Sequence, residues 1–349
     1  MNTKRKMFYE TVYTAGMCRD GALHSILAQR PYSLVFKTTN WCWNNCAHCC
    51  ESSGIHNPHT FIPESVIIEY LNQVAKDKNF SRAVVFTGGE LMSAYKYAGD
   101  KYVPNIVNTA LNNGFGVDIK TNAGWVKMPM ANKIYRDIEQ IVRRGASNKS
   151  DIGIKNIVHF QVSLSLDRFH RDALVRNFEF VKHFADKNIP GVAFTIHISS
   201  FASDIGMFNN LLDNLANLGT KITEMSEMFS NRSSNDKIYN LNGNVILRYN
   251  CATLFDGGRA KSLDNAKHTT FPQFVFLNSD FESLVAFDSR GNVTLGENSG
   301  DKISTPWRDK SGKALPLQTI RENLIAETIR AEQDFVKQHR FATFVSRLK

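Results

Sequence analysis

Four of the six cysteines of this chain fall within nine positions, in the segment TTNWCWNNCAHCCESSG at residues 38–54. Cys42, Cys46 and Cys49 have the spacing C-x3-C-x2-C, which puts three thiols on one short segment. Three thiolates can hold three corners of a four-iron cluster, and the fourth iron then has no protein ligand. A metal with an open coordination position can react with a bound molecule, whereas a closed site is structural. The segment therefore predicts a reactive metal site.

Other uses of these thiols remain open at this point. A zinc ion could be held by the same three cysteines with His48 or Cys50, although structural zinc sites usually take paired ligands from two separated loops. Cys49 and Cys50 could form a redox pair, but a disulfide between adjacent cysteines is strained. A tight cysteine cluster in a reducing compartment favours metal binding or catalysis over a disulfide framework.

The composition is that of a soluble globular protein, with 349 residues, 42% hydrophobic and 21% charged. No run approaches the roughly 18 apolar residues of a membrane span, and the N-terminal residues lack the apolar core of a secretory signal. We therefore expect a cytoplasmic protein with reduced cysteines and no membrane partner. The formal net charge of +9 favours anionic partners, but the basic residues are dispersed rather than gathered into a nucleic-acid groove.

Hydrophobic periodicity alternates between strand and helix patterns from residue 33 to residue 227. The predicted strands, in chain order, are SLVFKTTN, RAVVFTGGE, FGVDIKTNAG, NIVHFQVSLSLD, GVAFTIHIS and KITEMSEM. This alternation predicts an α/β fold with a parallel sheet, either open or curved into a partial (β/α)6 barrel. We expect a helical N-terminal segment over 1–32, the barrel over 33–228, and a smaller α+β extension over 229–349 that ends in helices.

The unusual residues of the chain follow the ends of the predicted strands. The cysteine segment follows the first strand, TGGE the second and TNAG the third, while SLSLD ends the fourth. In parallel α/β sheets the active site lies beyond the carboxyl ends of the strands. Four motifs at one edge of the sheet therefore predict a single functional site.

The cysteine spacing, followed by GGE after the second strand, resembles the radical S-adenosylmethionine (radical SAM) superfamily. The resemblance implies that Cys42, Cys46 and Cys49 bind one [4Fe-4S] cluster, and that S-adenosylmethionine chelates the open iron. The electron of the cluster would cleave the sulfonium to release a 5′-deoxyadenosyl radical, chemistry that belongs to the cofactor. The resemblance also implies an electron donor such as a reduced flavodoxin or ferredoxin.

The same resemblance assigns further residues to the cofactor site. His48 precedes the third cysteine and takes the place of an aromatic residue that lies against the adenine. Gly88 and Gly89 allow the backbone to approach the methionine end of the cofactor closely. Glu90 offers a carboxylate partner for the ammonium group of that methionine.

KTNAG at 120–124 resembles the TNG that follows the third strand in many members, with Ala123 in place of the glycine. Asn122 is a candidate for cofactor or substrate binding, for holding the strand end, or for an ordinary turn position. Trp41 and Trp43 beside the first cysteine suit shielding of the cluster and core packing equally well.

QVSLSLD resembles the strand whose serine and aspartate face the ribose in this superfamily. Alternation along a strand puts Ser163, Ser165 and Asp167 on one face, and we predict that Ser165 contacts the ribose. Asp167 could instead cap the following helix, and His170 could either reach a substrate or start that helix in solvent. His197 could face the barrel lumen, although a core position suits it better.

The C-terminal third carries a weaker resemblance to the cysteine-rich SPASM extension of radical enzymes that act on peptides. CATLFDGGRAKSL resembles the GRA segment before that extension, and VAFDSRGNVTLGENSGDKIST resembles its first hairpin. Thr294 and Leu295 stand where the hairpin would supply a cysteine, so we predict one cluster and an extension without cluster ligands. Cys251 is then a candidate hydrogen-atom donor or base, or a buried inert thiol.

The activity that the resemblance implies is hydrogen abstraction from a small biosynthetic metabolite or a ribosomal precursor peptide. Its reaction class, whether oxidoreductase, transferase or lyase, stays open. RNA modification is an alternative that only the net charge favours. A rival from another class is a zinc-stabilised binding module without catalysis. The C-terminal helices could cover an open sheet edge, embrace a peptide or touch RNA, and edge covering is the simplest use.

Overall fold

A computed structural model of the chain describes most of its residues. These are 32–49, 51–78, 80–147, 159–187, 193–225, 237–243, 245–251, 283–295 and 303–330. Nearly all of the predicted N-terminal segment, Cys50 and residues 331–349 lie outside the described residues. Within the described ranges, no helix combines the length and the apolar character needed to cross a membrane.

Strands and helices alternate through five units, as the hydrophobic periodicity predicts. They are β1 (Tyr32–Thr39), α1 (Glu64–Val74), β2 (Phe80–Gly88), α2 (Tyr102–Asn112), β3 (Gly116–Thr121), α3 (Ala131–Ser147), β4 (His159–Ser165), α4 (Ala173–Ala185), β5 (Ala193–Ser200) and α5 (Ile205–Asn217). The helices bury apolar stripes at spacings of three and four residues. In α1 the stripe comprises Ile67, Tyr70, Leu71 and Val74.

Helix α1 begins later than the sequence pattern suggests. The pattern places its start near Thr60, but the helix begins at Glu64, directly after Pro63. Phe61 forms an antiparallel bridge with Thr39 at the end of β1, so the chain before Pro63 is extended. Proline suits this position because it has no N–H group to leave unpaired before the first helical turn. This extended stretch closes the loop that carries the cysteines.

The strands of the described residues form one eleven-stranded sheet in the order β11-β10-β9-β1-β2-β3-β4-β5-β8-β7-β6. The remaining strands are β6 (Ile222–Glu224), β7 (Lys237–Leu241), β8 (Val245–Cys251), β9 (Ser283–Asp288), β10 (Asn292–Leu295) and β11 (Ser304–Pro306). Neighbours from β9 to β8 run parallel, and the pairs beyond them at both ends are antiparallel. The predicted α/β class with a mainly parallel sheet is confirmed.

Residues 222–224 of the predicted strand KITEMSEM form β6, but β6 does not lie beside β5 as its place along the chain suggests. It lies at one edge of the sheet, antiparallel to β7, and two of its three residues are exposed. The place beside β5 is taken by β8, which runs parallel to it. Val245, Leu247 and Tyr249 of β8 are buried at alternate positions. A central position removes this apolar strand from water, whereas the polar β6 gains little there.

The sheet curves around a cavity of about 500 Å³ at the carboxyl ends of the parallel strands. Lys37 of β1 and Asn250 of β8 both line this cavity, although β2, β3, β4 and β5 lie between their strands. Because neighbouring strands are about 4.8 Å apart, a flat sheet would separate these two strands by roughly 24 Å. The shared cavity therefore indicates the curvature of a partial barrel.

Residues 317–330 form a C-terminal helix, α6, which packs beside α1. Its buried apolar side chains are Leu317, Ile320, Leu324 and Ile325. The Leu317 N–H donates a hydrogen bond to Gln73 Oε1 at 2.9 Å. The Tyr70 hydroxyl is 3.0 and 2.8 Å from two backbone carbonyl oxygens in the segment that leads into α6. This part of the extension therefore packs on the fold itself.

Candidate active site

The loop between β1 and α1 brings three cysteines to the mouth of the cavity. Cys42 and Cys46 are buried and Cys49 is half-buried, and all three are free thiols that line the cavity. The Cys49 N–H donates to the Cys46 carbonyl at 3.2 Å, and the Cys42 N–H donates to the Gly54 carbonyl at 3.3 Å. The first bond forms a tight turn and the second closes the loop, so this loop is a fixed platform for the thiols.

Cys42 is the most strongly enclosed of the three thiols. Its Sγ accepts hydrogen bonds from Asn122 Nδ2 at 3.2 Å and from the Asn44 N–H at 3.4 Å. Burial, and after it the charge of Glu90, raises the pKa of Cys42 to about 12. In the metal-free protein this thiol keeps its proton at neutral pH, so binding of a metal must release that proton.

Gly88 and Gly89 press against the start of the cysteine loop. The Gly89 N–H donates to the Thr39 carbonyl at 2.6 Å, and Gly88 has a φ of +120°, where L side chains are strained. A Cβ at Gly89 would lie 2.6 Å from the carbonyl carbon of Trp41 and still closer to its oxygen. Both positions therefore require glycine, and both line the cavity. Their contact with the cofactor stays a prediction.

Glu90 joins the ends of β2 and β3. Its carboxylate is wholly buried and accepts hydrogen bonds from Met92 N–H at 3.0 Å, Thr121 Oγ1 at 2.8 Å and Asn122 N–H at 3.0 Å. Burial raises the pKa of Glu90, and these donors offset only part of that shift. The carboxylate has a structural task here, and its contact with a cofactor ammonium stays a prediction.

Asn122 connects the end of β3 to the cysteine loop. Its Nδ2 donates to Cys42 Sγ, while its Oδ1 accepts from the Gly124 N–H at 2.8 Å. Ala123 has a φ of 55°, in the left-handed region, which explains why a glycine is favoured at this position of the motif. The amide therefore holds the strand end, and it also lines the cavity.

Asp167, after β4, lies between two histidines. His170 Nδ1 is 3.0 and 2.9 Å from the two Asp167 carboxylate oxygens, and His48 Nε2 is 3.7 Å from one of them. Helix α4 begins only at Ala173, so Asp167 does not cap it. The His48 ring packs 4.7 Å from the Phe169 ring, and its contact with an adenine stays a prediction.

Asp167 and His170 stabilise each other in their charged forms. Burial opposes the charged forms, but mutual hydrogen bonding and attraction outweigh it. The pKa of Asp167 is therefore lowered by its hydrogen bond to His170 and by the charges of His170 and His48. Burial lowers the pKa of His170, yet hydrogen bonds to Asp167 and Cys46 raise it to about 10 overall.

Ser163 stands at the centre of a polar network on the cavity floor. Its Oγ donates to Asp118 Oδ1 at 2.7 Å, accepts from Gln161 Nε2 at 3.0 Å and lies 3.2 Å from His197 Nδ1. A hydroxyl has only one proton to donate, and Ser163 donates it in the hydrogen bond to Asp118. His197 must therefore be the donor, from Nδ1, in its contact with Ser163. These bonds use the hydrogen-bonding positions of Ser163, and its contact with a ribose stays a prediction. Ser165, the last residue of β4, also lines the cavity.

The cavity contains polar residues that sequence reasoning missed. They include Lys37, Glu51, Asp118, Lys120, Gln161 and Asn250, together with His197, for which a core position seemed better suited. Lys37 Nζ and Glu51 Oε1 form an ion pair at 2.6 Å. The available signal was the alternation of polar residues in VDIKT and FQVSLS, which marks the inward face of each strand.

The structure describes part of the predicted C-terminal extension. The segment from Asp288 to Val293 forms the expected hairpin between β9 and β10, with Gly291 at a φ of 104°. β9 pairs in parallel with β1, so this hairpin continues the main sheet. Cys251 is the last residue of β8 and pairs with Ser200, while its side chain lies outside the described part of the structure. Its chemical role stays a prediction.

No protein-family model matches this sequence, and no curated protein matches it either. Several solved structures match. Streptococcus suis SuiB has a TM-score of 0.42 at 14% identity, over 82% of this chain and 64% of that chain. SuiB bound to the precursor peptide SuiA has a TM-score of 0.36 at 13% identity, over 82% and 64%. Native anSMEcpe with bound AdoMet has a TM-score of 0.34 at 15% identity, over 54% and 49%. The matches span less than two thirds of those chains.

Proposed function

We propose that this chain is a radical SAM enzyme that binds one [4Fe-4S] cluster through Cys42, Cys46 and Cys49. The observation that carries the proposal is the convergence of three thiols and a glycine cradle on one cavity. When bound, the cluster would supply the electron that splits the sulfonium of S-adenosylmethionine and leaves a 5′-deoxyadenosyl radical. A flavodoxin- or ferredoxin-type donor and a cytoplasmic location belong to the same proposal.

The separation of the thiols supports a cluster over a single zinc ion. Within the described residues, three ligand atoms of His, Cys, Asp or Glu come within 4.8 Å of one another only at His48, Asp167 and His170. A tetrahedral zinc ion with Zn–S bonds of about 2.3 Å holds its sulfur atoms roughly 3.8 Å apart. Thiolates that each bind a different iron stand farther apart, and the three thiols are not all within 4.8 Å of one another.

The hydrogen-bond donors around the thiols also fit an iron–sulfur cluster. Asn44 Nδ2 is buried beside the thiols, and it has no acceptor among the described residues. The sulfide ions of a cluster accept hydrogen bonds, so a cluster would give this amide a partner. Asn122 Nδ2 and the Ser53 N–H already donate to Cys42 and Cys49.

The residues of the chain divide the cavity between cofactor and substrate in this proposal. His48 would lie against the adenine, Ser165 would contact the ribose, and the backbone at Gly88 and Gly89 would take the methionine end. The floor formed by Asp118, Lys120, Gln161, Ser163, His197 and Asn250 would bind the substrate. These polar side chains support a hydrogen-bonding substrate, either a peptide segment or a small metabolite.

The test of this function is anaerobic reconstitution with iron and sulfide, followed by addition of S-adenosylmethionine and dithionite. We expect the wild-type protein to hold a [4Fe-4S] cluster and to produce 5′-deoxyadenosine, which is detected by chromatography with mass detection. Cys42→Ala should lose both properties, while Cys50→Ala, which removes a neighbouring thiol outside the ligand set, should keep them. Zinc without sulfide in the wild-type protein would refute the proposal in favour of a binding module. Loss of the cluster in Cys50→Ala would refute the choice of ligands.

A further inference from the structure

Two histidines and an aspartate form a close group of metal-ligand side chains beside the cysteine loop. One ligand atom from each of His48, Asp167 and His170 lies within 4.8 Å of the other two, a proximity that no other three such residues reach in the described part of the chain. His48 comes from the cysteine loop, whereas Asp167 and His170 come from the loop after β4. Two imidazoles and one carboxylate, with a position left for water, are a ligand set of catalytic zinc sites. The three side chains therefore have the composition of an open metal site.

The distances within this group are close to those that a single metal ion imposes. His170 Nδ1 is 2.9 Å from Asp167 Oδ2, and His48 Nε2 is 3.7 Å from the same oxygen. A tetrahedral zinc ion with bonds of about 2.0–2.1 Å holds its ligand atoms roughly 3.3 Å apart. Each of the two distances would need to change by only about 0.4 Å for the atoms to bind one ion.

The carboxylate at the centre of the group is buried and held in place. The Asp167 side chain is only 5% exposed, unlike the acidic groups that are common on protein surfaces. Its Oδ1 accepts from the Phe169 N–H at 2.9 Å, and its carbonyl accepts from the His170 N–H at 3.2 Å. The same loop is tied to the segment after β5, because buried Asp204 accepts from Arg168 Nε at 2.7 Å and from the Arg168 N–H at 3.2 Å. Such supporting contacts strengthen a metal site because they orient its ligands in advance.

The His48 ring is also fixed by its neighbours. It packs 4.7 Å from the Phe169 ring and 5.6 Å from the Phe201 ring, and those two rings are 5.8 Å apart. The His48 side chain is only 14% exposed. An imidazole that is already held in this way loses little conformational freedom when it binds a metal.

We propose that His48, Asp167 and His170 bind one divalent transition metal ion such as zinc, and that the bound ion excludes S-adenosylmethionine from the cavity. Metal binding depends only on these three side chains, whereas the exclusion rests on the proposed function, in which His48 lies against the adenine. A carboxylate cannot donate a hydrogen bond, so His170 Nδ1 carries a proton toward Asp167 in the metal-free protein. The metal would take the place of that proton, which would pass to solvent.

The test measures zinc binding to the reconstituted protein, in which the cluster occupies the three thiols. Anaerobic equilibrium dialysis against zinc is followed by elemental analysis of zinc, iron and sulfide. We expect about one zinc ion per chain beside an intact cluster. Magnesium should not displace it, because magnesium prefers oxygen ligands and imidazole suits zinc.

Two variants and a control assign the zinc to this site. His170→Leu removes a ligand and Asp167→Asn removes the charge of another. Each should weaken zinc binding by more than about 100-fold, because the loss of a supporting residue alone typically costs 10- to 100-fold. Iron and sulfide at the wild-type level show that a variant has kept its fold, and if one variant loses its cluster, the other decides. His56→Gln changes an exposed histidine of the same loop and should bind zinc as the wild-type protein does.

Competition with the cofactor tests the exclusion. S-adenosylmethionine should raise the apparent dissociation constant for zinc, and methionine, which has the same amino and carboxylate groups but no adenine, should raise it less. Equal zinc binding by the wild-type protein, His170→Leu and Asp167→Asn would overturn the metal site. An equal effect of S-adenosylmethionine and methionine would overturn the exclusion. A wild-type protein that forms no cluster refutes the proposed function, and the difference in zinc between the wild-type protein and His170→Leu then decides the metal site by itself.

Discussion

Replacement of Gly89 by alanine tests whether the end of β2 sets the position of the cysteine loop. The added Cβ would lie 2.6 Å from the carbonyl carbon of Trp41, whereas ordinary van der Waals contact begins at 3.4 Å. The two segments must therefore separate by at least about 0.8 Å. The neighbouring atoms belong to the backbone, so no flexible side chain can turn aside. Cys42 follows Trp41 directly, and it moves with this backbone.

The size of the effect follows from that displacement. Forcing one extra methyl group into a well-packed region costs about 1–3 kcal/mol of unfolding free energy. A misplacement of about 1 Å in a catalytic assembly can cost roughly 100-fold in rate. We therefore expect Gly89→Ala to lower the unfolding free energy by about 1–3 kcal/mol and to slow 5′-deoxyadenosine formation by about two orders of magnitude.

Gly206→Ala is the matched control for this change. Gly206 lies in α5, and a Cβ there meets no atom within 4 Å. Because alanine favours helices more than glycine does, this variant should be neutral or slightly stabilised, with wild-type cleavage. The assays are chemical denaturation for the unfolding free energy and dithionite-driven 5′-deoxyadenosine formation for the site. Wild-type values of both in Gly89→Ala would refute the reasoning about the close approach of these backbones.

Three further changes test other contacts of the fold and the site. Glu90→Gln replaces a buried acceptor of three hydrogen bonds with an amide, which must turn N–H groups toward some of those donors. Chemical denaturation should therefore show that the unfolding free energy falls by about 1–3 kcal/mol. An unchanged unfolding free energy would contradict this. Asn122→Asp puts a negative carboxylate in place of the donor to Cys42, and iron retained after desalting should fall roughly tenfold; full retention would contradict the contact. Tyr70→Phe removes the hydroxyl that lies between two backbone carbonyls before α6. The unfolding free energy measured in urea should fall by about 1 kcal/mol, while cofactor cleavage stays at the wild-type rate. An equal urea midpoint would mean that the hydroxyl does not hold the extension.

Sequence periodicity was sufficient to predict the first five strand–helix units. A strand such as β3, whose residues alternate between buried and half-buried, and a helix such as α1 each carry their pattern within one segment. Sheet order was harder to predict, because the choice of neighbour depends on competition between distant segments. The more apolar β8 therefore took the place beside β5 that chain order would give to β6.

The spacing of the three cysteines by itself determined that their thiols lie on one short segment after β1, because Cys49 is only seven residues after Cys42. The sequence also predicted that the glycine motif after β2 and the asparagine after β3 lie beside that loop, since parallel strands end at the same edge of the sheet. Which groups touch each thiol was decided only by the tertiary structure. Asn122 reaches Cys42, and Ser163 is held by Asp118 and His197, because strand register and the curvature of the sheet bring together residues that are far apart in sequence.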